Sequence, residues 1–85
     1  MNGVALRARI FEELYTRRKA SSDDVGAIEV AKLAEAVGDS AKRVAVICSD
    51  LVRHRHVDGD GNMMGFVRLS DAGVGYYEEV REMNE

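Results

Sequence analysis

The sequence of 85 residues predicts a single α+β domain that is mostly helical: a three-helix core, a two-stranded β-hairpin and a C-terminal helix. Three observations lead to this prediction. Two helical apolar patterns, over 30–37 and 40–54, are separated by a very short turn at Gly38 and Asp39. A turn-forming stretch, 58–62, then separates two extended segments. Further helical patterns precede and follow this central part of the chain.

The first helix is predicted over residues 4–19, where the apolar residues fall on one helical face. Asn2 is a suitable N-cap, and the basic residues 17–19 suit the negative end of the helix dipole. We expect these basic residues to be structural rather than to contact phosphate. This first helix is expected to close the core with the following apolar stripe: Leu6, Ile10, Phe11 and Leu14. A loop over 20–27 and a short strand over 28–30 come after it.

The two central helices carry the clearest spacing. The first starts at 29 or 30 and ends at Gly38, because glycine adopts a left-handed φ at least cost. Its inner face has Ala34 where the next helix crosses closely. Ser40 is a good N-cap for the second helix, which runs to 53 or 54. Its predicted buried stripe recurs at three and four residues: Val44, Ile47 and Leu51.

Extended segments over 55–58 and 64–69 predict a hairpin, because apolar and polar residues alternate along the second of them. Ser70 is expected to cap a last helix over 71–83, whose apolar stripe is Val74, Tyr77 and Val80. Gly73 lies inside this helix, where glycine lowers stability relative to alanine. We therefore expect Gly73 to mark a close approach to another element.

The formal net charge of −3 is unevenly distributed. Residues 40–57 carry four basic and one acidic side chain together with two histidines, whereas residues 71–85 carry one basic and five acidic. Local charge of this kind governs the approach of charged partners more than the total does. No apolar run approaches the ~20 residues of a membrane span, no secretory signal is recognised, and Cys48 has no second cysteine to pair with. We therefore expect a cytoplasmic location.

The ordered pattern resembles the winged helix-turn-helix domains of small bacterial and archaeal regulators of the MarR and PadR kinds. It is carried by Leu33-Ala34, Val37-Gly38, Ser40, Val44, Ile47, Leu51, Val57, the glycine-rich loop and Leu69-Ser70-Asp71-Ala72-Gly73. The resemblance implies a helix-turn-helix over 30–54, a wing over 55–69 and a C-terminal helix over 71–83.

The same resemblance implies double-stranded DNA binding by a transcriptional regulator, with the second helix of the motif in the major groove and the wing at the backbone. Residues carried over to the exposed side of this recognition helix are Ser40, Ala41, Lys42, Arg43, Ala45, Val46 and Ser49. On the wing they are Asn62 and Arg68.

A protein-interaction module without DNA binding is the alternative. The acidic total, the acidic wing tip and the apolar Ala45-Val46 surface favour it. Some apolar residues also have no obvious place in a thin core, and together they suggest an exposed patch. A homodimer through the first and last helices is the simplest partner and is expected for the DNA-binding regulator too. Another protein is the further possible partner for these residues: Met63, Met64, Phe66, Tyr76 and Met83.

Metal binding and catalysis are weaker alternatives. The stretch 58–62 resembles the start of a calcium loop, but Met63 and Leu69 stand where that loop needs glycine and glutamate. Residues of the types that bind zinc occur together, although the cysteine among them lies close to the buried stripe: Cys48, His54, His56 and Asp58. No set of residues suited to catalysis is visible. We therefore expect no metal, no cofactor and no enzymatic activity.

Overall fold

A computed structural model describes residues 2–21, 26–60 and 65–83 of the chain. Within these ranges the fold is α+β and mostly helical, with four helices and one three-stranded antiparallel sheet. The elements, in chain order, are α1 (Gly3–Ala20), β1 (Ile28–Glu29), α2 (Val30–Val37), α3 (Ala41–Arg53), β2 (Val57–Gly59), β3 (Phe66–Leu69) and α4 (Asp71–Met83).

The core lies where α1, α2 and α3 meet the inner face of the sheet. The predicted stripe of α1 is buried, and Asn2 Oδ1 accepts a hydrogen bond of 2.8 Å from the Ala5 amide at its start. α2 contributes Leu33, Ala34 and Val37 to the core, as expected. The small side chain of Ala34 is 3% exposed, which fits the predicted close packing between α2 and α3.

The predicted stripe of α3 is partly wrong. Val44 and Leu51 are fully buried, but Ile47 only packs partly buried against the core. Cys48 is fully buried in its place, and Ala45 lies on the same side. The buried face of α3 is therefore rotated toward Ala45 and Cys48, which lie about 100° and about 40° from Val44 on one side of the helix, whereas Ile47 lies about 60° from it on the other side.

The sheet has the strand order β1-β3-β2, so β3 is central. Val67 and Leu69 face the core and pair with the buried Ile28 and Val57. Successive strand residues point to opposite faces, so the neighbouring side chains face outward. The alternation predicted for 64–69 is confirmed over Phe66–Leu69.

α4 lies at the edge of the core. Within the described part of this helix Gly73 is buried, whereas Val74 and Tyr77 are only half-buried against the core. A Cβ on Gly73 would lie 2.0 Å from the carbonyl oxygen of His56, so the predicted close approach is confirmed. Ser70 caps the helix as predicted: its hydroxyl accepts from the Gly73 amide at 2.9 Å and donates to the Arg55 carbonyl at 2.6 Å. α4 is thereby fixed to the chain between α3 and β2.

Candidate nucleic-acid interface

One side of α3 carries exposed side chains at spacings of four, three and four residues. We call Lys42, Val46, Ser49 and Arg53 the outward face of α3. At 1.5 Å per residue, the first and last of them lie about 16 Å apart along the axis. Four side chains of this spacing lie on one helical face, so the outward face is a continuous strip that a partner can contact along its length.

The start of α3 is fixed by local hydrogen bonds. Gly38 has a φ of 76°, and it ends α2 with its amide donating to the Ala34 carbonyl at 2.9 Å. The Ser40 hydroxyl accepts from the Arg43 amide at 3.2 Å. The Arg43 guanidinium reaches back to the Asp39 carboxylate at 3.0 Å, so this cation is paired within the turn. Ser40 and Arg43 therefore contribute to the structure of the turn, in addition to being candidate contacts.

Two of the predicted contact residues lie on the wrong side of α3. Ala45 is only 9% exposed and belongs to the core cluster. Ala41 is half-buried and packs against the same cluster. Their methyl groups fill the narrow space beside the core, so Ala41 and Ala45 do not belong to the exposed side. Val46, by contrast, is 66% exposed.

The cations of the molecule fall into two groups. Those of α1 are engaged: Arg9 and Arg17 pair with Glu13, Lys19 pairs with Glu78, and Arg18 donates to the Leu69 carbonyl at 2.6 Å and to the Asp71 carboxylate. This confirms that Arg18 is structural. Among the described residues of 30–55, by contrast, these cations have no ion-pair partner: Lys32, Lys42, Arg53 and Arg55.

The acidic residue next to the outward face is Asp50, and it is neutralised from α1. The Arg7 guanidinium donates to its carboxylate at 2.7 Å. This hydrogen bond lowers the pKa of Asp50 against the opposing effect of burial, and the nearby charges on His54, Arg7 and Arg53 lower it further. The negative charge of Asp50 is thus balanced within the protein, which leaves the outward face net positive.

The end of α3 leads directly into β2. Arg55 has a φ of 65°, and the His56 amide donates back to the Leu51 carbonyl at 3.0 Å. His56 stacks on Tyr76 of α4 at a centroid distance of 4.3 Å. Its Nδ1 atom is buried and has no hydrogen-bond partner in the described chain. Burial, with smaller effects of the charges on His54 and Arg7, lowers the pKa of His56.

The hairpin offers less positive charge than the outward face of α3. Arg68 on β3 is paired with Asp58 on β2 at 3.6 Å, and both side chains are about half exposed. Phe66 is 55% exposed beside them. Asn62, the other predicted wing contact, lies outside the described residues, as do Met63 and Met64.

The predicted apolar patch is only partly present in the described chain. Tyr76 is 45% exposed, but it has a structural place because it stacks on His56 and lies 5.6 Å from the Phe11 ring centroid. Met83 is 80% exposed near the end of α4. Phe66 and Met83 thus remain as exposed apolar groups, on different elements.

The residues considered for zinc do not form a site in the structure. Cys48 is fully buried, and burial raises the pKa of its thiol to about 11. Across residues 2–21, 26–60 and 65–83, no three His, Cys, Asp or Glu side chains lie together in a way that would hold a metal ion.

In the same part of the chain, no helix combines the length and apolar character of a membrane span.

Comparison of the chain with protein-family models, with curated proteins and with solved structures found no match. Arg53 is not among the DNA contacts that the resemblance implies, although it belongs to the outward face of α3. It lies seven residues from Val46 and eleven from Lys42, and a helical projection of the sequence would have put all three on one face.

Proposed function

We propose that the chain is a winged helix-turn-helix domain that binds double-stranded DNA and serves as a small transcriptional regulator. In this proposal α3 enters the major groove and the β2–β3 hairpin lies at the backbone. The observation that carries the proposal is the outward face of α3, where Lys42 and Arg53 form no ion pair within 4 Å in the described chain. Cations left unpaired on one face are suited to phosphate groups.

The order of elements supports the same proposal. A helix, a short strand, two helices with a tight turn, a hairpin and a last helix follow one another as in winged helix-turn-helix domains. The second of the two turn-linked helices then carries the outward face, which is the arrangement that such domains use for groove binding. Arg68 must exchange or share its Asp58 partner to reach a phosphate, so we assign most of the binding to α3.

Fluorescence anisotropy with a labelled random-sequence duplex, at about 50 and about 200 mM salt, tests the proposal. We expect binding at the lower salt that weakens steeply with added salt. Lys42→Ala and Arg53→Ala should each weaken binding, and each lost phosphate contact should reduce the slope of log K against log salt by about 0.9.

Arg17→Ala is the matched control, because it removes the same charge from α1, where Arg17 pairs with Glu13. We expect its slope to equal that of the unaltered protein. Absence of binding at 50 mM salt by a folded protein would refute DNA binding. Equal losses in all three variants would refute the assignment to α3, since the net charge alone would then explain them.

A protein-interaction module is the second candidate, and the exposed Phe66 beside the Asp58–Arg68 pair favours it. An interface of this kind needs apolar anchors with a polar surround. Sedimentation equilibrium at high protein concentration would detect a homodimer, and Phe66→Glu should then dissociate it. A monomer at all concentrations would count against self-association, whether through this surface or through α1 and α4.

A further inference from the structure

Val46 is an exposed apolar residue that the fold does not require. It is 66% exposed in the middle of α3, and its side chain is absent from the core cluster. A β-branched residue at an exposed helical position is less favourable than alanine. Its isopropyl group is therefore available for a contact outside the domain.

The charges around Val46 indicate which kind of surface it meets. Lys42 lies four residues before it and Arg53 seven residues after it, about 6 and about 10 Å along the helix axis. A protein partner would have to place carboxylates opposite both flanking cations, since a cation that is buried without a partner is costly. A polyanion with apolar groups in a groove matches the same arrangement, because the cations then face phosphates.

We infer that Val46 contacts the C5-methyl group of a pyrimidine in the major groove, an inference that depends on the proposed DNA binding. The methyl group of thymine is the apolar feature of the base edges in this groove, and 5-methylcytosine presents the same group. Val46 cannot form a hydrogen bond with its side chain, so it selects bases by this apolar contact.

The rest of the outward face is consistent with this selectivity. Asp50 follows Val46 by four residues in α3, and its carboxylate accepts a hydrogen bond of 2.7 Å from Arg7 of α1. Ser49 supplies a hydroxyl, which can bond to several bases and discriminates little among them. The methyl contact of Val46 is then the main source of base preference in the middle of α3.

The test uses two alternating A·T duplexes that are identical except that uracil replaces thymine in the second. The substitution removes the C5-methyl group and leaves the hydrogen-bonding edges unchanged. With anisotropy at about 50 mM salt, we expect the thymine duplex to bind about fourfold more tightly for each methyl group contacted, from the usual gain on burying one such group. Alternating G·C duplexes with cytosine or 5-methylcytosine form the second arm.

Val46→Ala removes most of the apolar side chain and should reduce the preference for thymine over uracil, and Val4→Ala should leave that preference unchanged. Val4 is the matched control, since it is a valine on α1 that is 83% exposed. Alanine is the better helix former, so both variants should fold, as circular dichroism would verify. A preference that is as large in Val46→Ala as in the unaltered protein would overturn the inference, because DNA shape would then explain it.

The Val46 contact and the proposed DNA binding are contradicted by different results. If the protein binds the thymine and uracil duplexes equally, and the two cytosine duplexes equally, the inference is wrong and DNA binding stands. If it binds none of the duplexes, the proposed function is wrong and the inference fails with it. A Val46-dependent preference in one arm alone identifies whether thymine or 5-methylcytosine is the base contacted.

Discussion

Two polar regions of this molecule are built in opposite ways. The first, which we call the α4 junction, consists of Arg18, His56, Ser70, Gly73 and Tyr76. There Ser70 donates to the Arg55 carbonyl, Arg18 donates to the Leu69 carbonyl, and the His56 ring stacks on Tyr76.

The outward face of α3 is the second region, and its cations have no such partners in the described chain. The comparison shows that the charge of a residue is by itself a poor guide to function. What distinguishes the two regions is whether a charged side chain already has a partner within the protein. Substitutions in the junction should therefore act on stability, and substitutions on the outward face should act on binding.

Gly73→Ala should have the largest effect on stability. The new Cβ would lie 2.0 Å from the His56 carbonyl oxygen, which is backbone and cannot move without shifting β2. We expect a loss of about 3 kcal/mol in the free energy of unfolding, at the upper end of overpacking effects. Urea denaturation measures it.

Gly75→Ala is the matched control for this prediction. It lies in the same helix, and its Cβ would meet nothing within 4 Å. Alanine should therefore stabilise α4 by up to about 1 kcal/mol through helix propensity. If both substitutions had the same sign, the close approach at Gly73 would not be what holds α4 in place.

Ser70→Ala should have the next largest effect, a loss of about 2 kcal/mol. The substitution removes the N-cap of α4 and also leaves the Arg55 carbonyl without its hydroxyl donor. Ser40→Ala is the comparison, because the exposed Ser40 hydroxyl only caps α3. It should cost about 1 kcal/mol. Thermal unfolding of both variants checks the difference, and equal losses would mean that the bond to Arg55 contributes little.

Arg18→Ala and Lys42→Ala contrast the two regions directly. Arg18→Ala should lower the free energy of unfolding by about 1.5 kcal/mol, since it removes charged hydrogen bonds that involve a side chain only 23% exposed. Lys42→Ala should change it by less than about 0.5 kcal/mol. DNA affinity should show the reverse order, with the larger loss in Lys42→Ala. Both variants should be measured at the same temperature, well below the temperature at which either unfolds. If Lys42→Ala lost more stability than Arg18→Ala, the contrast between a structural α4 junction and a binding face on α3 would be wrong.

The sequence predicted the elements well, because each had local signals. The left-handed Gly38, the caps Asn2 and Ser40 and the alternation in β3 all depend on neighbours within four residues. Such signals are carried by backbone conformation and short hydrogen bonds, which the residue types fix directly.

The errors concern quantities that depend on distant parts of the chain. Ala45 and Ile47 flank Val44 and Leu51 on opposite sides of α3, so periodicity alone does not decide which one is buried. That choice depends on how α3 sits against α1 and α2. The partner of Arg18 is likewise 51 residues away, and local spacing carries no information about it.

The smallest expected effect is a dependence of stability on pH that comes from His56. Burial lowers its pKa in the folded protein, so the folded state binds a proton less readily than the unfolded chain, where the ordinary value is 6.5. Stability should then be complete above pH 6.5 and should fall as the pH is lowered from there toward the pKa of the folded state. Urea denaturation between about pH 7 and about pH 5 covers this window and remains above the range where most carboxylates titrate.

His56→Phe isolates this contribution. Phenylalanine keeps an aromatic ring against Tyr76 and removes the buried Nδ1 atom that has no partner in the described chain. We expect the acid loss of stability in this window to shrink, while the stability at pH 7 is unchanged or higher. His54→Gln should leave most of the pH dependence in place, because burial is the main cause of the shift. The reverse result, with the dependence lost in His54→Gln and kept in His56→Phe, would place the titrating group at the end of α3. The α4 junction would then not be the part of the molecule that responds to acid.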